Sequence, residues 1–220
     1  MRPYIIALAV TLVPANIAFG KGNAALIGGK TTSQAKQTSP ATSNLGTASG
    51  IAVSVNGFWQ FFSSIPIGLG GFYSSSTTTG TGPTASTYKT STTTMGPAAG
   101  FYMGLPSVDV YVSAGYVISG GSKLTATKSA DESASSGVSE SSYSDGIVSG
   151  TRLSCGIGFP VLAGLSVILD YTRDNQTFEF PKSTVTRASD GSTTSLDFSS
   201  TPVTIASVSN TIGLGLGFKF

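Results

Sequence analysis

Histidine is missing from all 220 residues, and that absence excludes more chemistry than any motif present suggests. It removes Ser–His and Cys–His nucleophilic catalysis, His-ligated zinc and imidazole pH switching together. Cysteine is nearly as scarce: Cys155 is the only one, so no intramolecular disulfide can form. Charge is thin as well. Only 10% of residues are charged, against about 25% in an ordinary soluble domain. The formal net charge is +2, with lysines and arginines scattered rather than clustered. No basic stripe follows a phosphate backbone, so nucleic acid is not an expected partner.

Long apolar runs are also missing. Ile5 to Val13 is broken only by Thr11 and stops at Pro14, about half the roughly 20 residues a spanning helix needs. With Arg2 before it and Ala18-Phe19-Gly20 after it, the pattern predicts a secretory signal over 1–20 with cleavage before Lys21. No cysteine lies near that cut, so lipoprotein processing is not expected.

What is abundant is glycine, at 28 residues, with dense Ser and Thr and a positive mean hydropathy. Such a mixture calls for a solvent other than water over part of the surface. The apolar residues recur with a period of two. Ile212, Leu214, Leu216, Phe218 and Phe220 alternate with Thr211, Gly213, Gly215, Gly217 and Lys219, the signature of a strand with one apolar face. The same alternation marks Ile51 to Phe61, Ile65 to Tyr73, Phe101 to Leu105, Val108 to Ile118, Leu153 to Phe159 and Leu165 to Tyr171, where Ile168 is the exception. A fainter strand spans Asn23 to Lys30. Even strand numbers in single-chain bacterial barrels favour about eight, with ten as the alternative.

Which face meets lipid follows from the polar set. Bare Gly213, Gly215 and Gly217 make a poor solvated strand surface. Turned inward, they leave room for Tyr102, Tyr111, Phe58 and Phe72. Connections alternate in length. Ser63-Ser64, Pro106-Ser107 and Pro160 to Gly164 are tight, whereas 31–48, 74–95, 119–144 and 174–202 are expected to be long loops, matching short periplasmic turns and longer extracellular loops. Within the last of these, Ser189-Asp190-Gly191-Ser192 carries an Asp-Gly hairpin pattern, so the seventh and eighth strands are expected to continue outward as a protruding hairpin. The fold class is therefore all-β: a transmembrane antiparallel up-and-down β-barrel over 21–220.

The C-terminal run Ile212, Leu214, Leu216, Phe218 and Phe220 resembles the last strand of outer-membrane barrels. In that class a final aromatic with hydrophobic residues at alternate positions is read by the barrel assembly machinery. The rest of the chain is similar in pattern to small barrels of the OmpA transmembrane domain, OmpX and OmpW sort, without the further peptidoglycan-binding domain that OmpA-like proteins usually carry. The resemblance implies a cell outer membrane location, with lipid and lipopolysaccharide as partners. Membrane-barrel phospholipases, omptin-type proteases and the palmitoyl transferase lean on histidine, so their usual chemistry is not expected here.

Candidate site residues are few. Arg152 and Asp170 are expected on the inward face, paired diagonally across the Pro160 to Gly164 turn, as a lumen gate or a register-fixing network. Asp109 and Lys219 are inward and near the rim. Trp59, Phe61, Tyr73, Phe101, Tyr116, Phe159, Tyr171, Phe218 and Phe220 are expected outward as boundary girdles, with Cys155 on the same face as a small hydrophobe. Gly68-Leu69-Gly70-Gly71 lacks the Lys and Ser/Thr of a phosphate loop. Asp131, Glu132, Glu140 and Asp145 lack calcium-loop spacing. No catalytic, cofactor or metal residue is expected. Two functions stay open: a non-enzymatic barrel presenting Ser/Thr-rich loops for structural or adhesive contact, including contact with an extracellular partner, or a narrow pore or carrier for small or apolar solutes.

Overall fold

The computed structural model describes residues 21–40, 43–61, 66–82, 86–105 and 107–220. The expected signal segment 1–20, the Ser63-Ser64 turn, Ile65 and Pro106 lie outside the described residues.

In chain order the strands are β1 (Lys21–Ser39), β2 (Ser43–Gln60), β3 (Ile67–Thr81), β4 (Thr87–Gly104), β5 (Asp109–Val117), β6 (Ser119–Thr127), β7 (Val138–Leu162), β8 (Leu165–Phe180), β9 (Lys182–Arg187), β10 (Thr193–Asp197) and β11 (Val203–Lys219). A short helix α1 (Ala130–Ser136) precedes β7. No helix among the described residues is long and apolar enough to cross a membrane.

Hydrogen bonding runs from β1 through β2, β3 and β4, then to β5 and β6 and on to β7. It returns through β8 and β11 to β1. β5 and β6 form one stave interrupted at Ile118, whose N–H still reaches the Met95 carbonyl at 3.1 Å. The circuit therefore has eight staves, all antiparallel, as expected. At the seam, Gly22 and Phe220 exchange backbone bonds of 2.7 and 3.0 Å. Closure leaves the ring no unpaired edge, which a chain in hydrocarbon requires. The β2–β3, β4–β5 and β7–β8 links lie at the same end as Lys21 and Phe220. This is the short-turn, periplasmic end.

The expected loops are a correction. Most of 31–48, 74–95 and 119–144 is strand, as are the start of 174–202, up to Phe180, and its β9 and β10 segments. β7 alone has 25 residues, where a tilted spanning strand needs about 9–11. The barrel therefore continues well beyond the bilayer.

Its polarity inverts along the way. On β8 the outward residues run Val167, Leu169, Tyr171, then Arg173, Asn175 and Glu179; the inward ones run Ser166, Asp170, Thr172, Asp174, then Phe178 and Phe180. β11 repeats this: Leu214 and Ile212 face out below, while Ile205 and Val203 face in above. The lower exterior is an apolar belt in which Leu214 is 65% and Ile51 69% exposed. Side chains that greasy belong against lipid, so the lipid-out orientation is what the structure shows. Above the belt the inside carries an apolar core: Tyr88, Val117, Leu124, Val148, Phe178, Phe180, Val203 and Ile205 pack as one buried cluster. This cluster shares the upper interior with buried hydroxyls such as Thr78, Thr92 and Ser122. Each apolar side chain of the cluster contributes roughly 1.5–3 kcal/mol on burial, so the extension holds itself together as a water-soluble barrel would.

Phe180 is 1% exposed and packs on Tyr143 and Phe178, with ring centroids at 5.7 and 6.3 Å. Truncating it, Phe180→Ala, will lower unfolding free energy by about 3–5 kcal/mol in urea titrations of the folded protein in detergent. Leu214→Ala on the belt will cost distinctly less, because lipid or detergent tails close over the gap.

Candidate functional site

The lumen has three tiers. At the periplasmic end the inward side chains of β1, β2, β5, β8 and β11 are short or polar, and they leave a vestibule of about 700 Å³. Across its mouth Lys219 Nζ donates to Asp109 Oδ1 and Ser166 Oγ to Asp109 Oδ2, the latter at 3.1 Å. The two rim residues singled out in the sequence are thus brought together.

The middle tier closes the passage. Tyr102 stacks on Tyr111 with centroids 5.5 Å apart and an interplanar angle of 12°, and Phe58 tilts against Tyr102 at 5.2 Å. Tyr111 Oη donates to Asp170 Oδ2, and Thr172 Oγ1 to Asp170 Oδ1 at 2.8 Å. Ser154 and Thr172 share a further bond of 2.8 Å. Small residues make the space. A Cβ on Gly156 would stand 2.5 Å from Tyr111, and one on Gly100 2.8 Å from Tyr102. The β11 glycines serve different neighbours from those expected: Gly213 makes room for Ile27 and Gly217 for Ile168.

Arg152 and Asp170 are both inward and buried, but they are not ladder partners. The strand register sets Arg152 opposite Asp174 and Asp170 opposite Gly156. Arg152 Nη1 lies 3.9 Å from Asp174 Oδ1, and its guanidinium sits 5.1 Å over the Phe72 ring. The ion pair Arg152 makes is the cross-strand one with Asp174, with Asp170 on the same inward face. Asp174 was missed because 174–202 reads as loop, although Asp170, Thr172 and Asp174 continue one period-two face. Asp174 Oδ1 and the Arg152 Nε and Nη1 atoms lack hydrogen-bond partners.

The top tier is the apolar cluster, which borders a void of about 40 Å³ beside Tyr88 and Phe178. No cluster of metal-ligating side chains occurs among the described residues.

Outside, the girdle aromatics sort by height. Trp59 and Phe220 pack at 6.2 Å near the periplasmic rim. Tyr171, towards the upper edge, donates from Oη to Asn210 Oδ1 at 2.7 Å. Cys155 is exposed on the lipid face. Ile212, Leu214, Leu216 and Phe218, expected from the sequence as an assembly signal, line one outward face of the closing strand.

At the extracellular end β9 and β10 form a hairpin with Asp190-Gly191 at its tip, Gly191 taking φ +69. The hairpin is its own strand pair, whereas β8 ends at Phe180 and β11 begins at Val203. β9 pairs with β7, leaving β10 at the end of the sheet with its other edge open. Ser192 N–H donates to Asp190 Oδ1 at 2.9 Å. That bond, with one from the Ser192 side chain, holds the Asp190 carboxyl below the usual value of 3.8.

Three outcomes follow from this geometry. Arg152→Met strands a buried carboxylate at Asp174 and will destabilise the barrel by about 3–5 kcal/mol. The double change Arg152→Met with Asp174→Leu will recover most of that in the same unfolding assay. Because the folded Asp190 carboxyl is depressed, its turn is fully held above the ordinary carboxylate range and loosens as pH falls below about 4; the Ser192 amide resonance will report this.

No protein-family model matches the sequence, and no curated relative does either. Solved structures do resemble the fold. The outer membrane protease OmpT from Escherichia coli superposes with a TM-score of 0.52 at 10% identity, covering 96% of this chain and 100% of that one. OprG from Pseudomonas aeruginosa gives 0.47 at 13% identity, covering 90% and 96%. Neisserial surface protein A gives 0.42 at 14% identity, covering 89% and 99%. With its lipid-facing belt, the chain has the fold of a transmembrane β-barrel of the bacterial outer-membrane kind.

Proposed function

We propose that the chain is a non-enzymatic outer-membrane barrel that holds a hydroxyl-rich extension at the cell surface for structural or adhesive contact. The observation that carries this reading is the polarity inversion: above the belt the large apolar side chains turn inward, packed with a few buried hydroxyls, and the charged side chains and many Ser and Thr turn outward. A conduit needs a wet interior along its whole length, and this one is filled in its middle and upper tiers. The extension supplies surface instead. β10 presents Thr193–Asp197 with every residue exposed, and an open strand edge can accept an extended segment of a partner by strand addition.

An enzymatic reading finds little support. The neighbouring protease lends only its fold, and this chain has no histidine. Its buried carboxylates Asp170 and Asp174 sit between the tyrosine layer and the apolar cluster, where no substrate reaches them. The second reading, a narrow pore or carrier, draws on the periplasmic vestibule.

Purified folded protein in planar bilayers will show no steady, reproducible conductance steps; such steps would favour the pore. Deleting residues 182–197, which leaves the eight staves intact, will reduce adhesion of displaying cells to a panel of cell and matrix surfaces. Unchanged adhesion would sink the hairpin's role. We also infer that the barrel assembly machinery reads the end of β11, so Phe220→Ala will lower the fraction of heat-modifiable, membrane-assembled protein.

A further inference from the structure

We propose that the periplasm-facing vestibule is a binding site for a small organic anion, a carboxylate carried on an apolar or aromatic body. The site lies at the opposite end of the molecule from the surface hairpin and does not depend on the hairpin's role.

Three observations converge. The space is the right size: about 700 Å³ falls within the roughly 300–1,000 Å³ of small-molecule sites. Its hydrogen-bonding balance is uneven. The side-chain carboxylate in the wall, Asp109, is already engaged by Lys219 and Ser166. The donors are not used up. Asn56 lines the vestibule at 3% exposure, and its Nδ2 has no hydrogen-bond partner. Lys21 stands at the mouth with its charge exposed. A buried amide without an acceptor is costly, and a spare donor in the wall together with a cation at the mouth favours an acceptor-rich, negatively charged guest.

The third observation concerns the body of that guest. Tyr102, Tyr111, Ile168 and Ala25 also line the vestibule. Aromatic and aliphatic walls around a few placed polar groups favour a ligand with an apolar portion over a fully hydrated inorganic ion. The carboxylate then meets Asn56 Nδ2, the Lys21 ammonium draws it in from the mouth, and its apolar part faces the tyrosines. Access is from the periplasm only, because the middle tier closes the lumen.

Benzoate is a suitable probe, with benzyl alcohol as its neutral counterpart and inorganic phosphate as a bare anion. Isotope-labelled folded protein in detergent micelles is titrated while the Asn56 side-chain amide and the lipid-facing Trp59 indole are followed by NMR. Benzoate is expected to shift the Asn56 amide saturably and leave Trp59 unmoved; benzyl alcohol, partitioning into the micelle, is expected to do the reverse. Phosphate is expected to bind more weakly than benzoate. Lys21→Gln should weaken benzoate about fivefold. Asn56→Asp keeps the side-chain shape but adds a repelling charge and should abolish binding, read at the Gln60 amide once the variant's spectrum confirms its fold. A non-saturating Asn56 shift, equal response to benzyl alcohol, or benzoate binding unchanged in both variants would each overturn the proposal and leave a vestibule that holds only water.

Discussion

Backbone pairing in hydrocarbon governs everything else in this molecule. A peptide N–H or C=O facing lipid has no water to fall back on, so the sheet must close on itself. Closure requires β11 to find β1 although they lie at opposite ends of the described chain, and their ladder runs from Asn23↔Lys219 to Ser39↔Thr204 with one irregularity. A period-two structure cannot slip by one residue without turning Leu214 and Leu216 into the lumen and Gly213 and Gly215 to the lipid. Closure and facing are therefore one constraint.

That constraint made the lower barrel legible in the sequence. Ile212 to Phe220, Val108 to Ile118 and Leu153 to Phe159 each place an apolar set on one phase, and all three phases point to lipid. The upper barrel was hidden for a physical reason. At the water boundary the preferred face reverses, so on β8 the apolar phase moves from Leu169 and Tyr171 to Phe178 and Phe180. On β11 it moves from Ile212 to Ile205. Between them lie residues such as Asn175, Gln176, Ser207 and Ser209, where neither phase is apolar. A scan for one continuous alternation loses the strand there and reads a loop. The hydroxyl-rich composition added to this, since Thr77, Thr79, Ser91 and Thr93 look like loop residues although they lie on β3 and β4.

The candidate site suffered from the same reversal. Arg152 and Asp170 were legible as inward because they lie within the clear period. Asp174, the ladder partner of Arg152, lies at the boundary and was assigned to a loop. The tyrosines were legible as inward, but which glycine faces which ring depends on register across strands, and a single sequence does not carry that. The orphan amide of Asn56 was visible only as an inward residue; its lack of a partner is a property of the assembled wall.

The two ends of the lumen are built for different solvents, and the middle tier is what allows both. A barrel filled with hydrocarbon side chains throughout would need no polar layer, and one lined with hydroxyls throughout would let water run from end to end. Here Tyr111, Asp170, Thr172 and Ser154 bond one another and close the periplasmic half, while Arg152 reaches from that network toward Asp174 and lies over Phe72 beneath the apolar cluster. Exchanging the ion pair for apolar side chains would extend the upper core downward. Removing one partner leaves a charge with neither water nor counter-ion. The polar layer therefore separates an open, donor-rich chamber below from a dry core above, so that the surface extension can be rigid without the vestibule being filled.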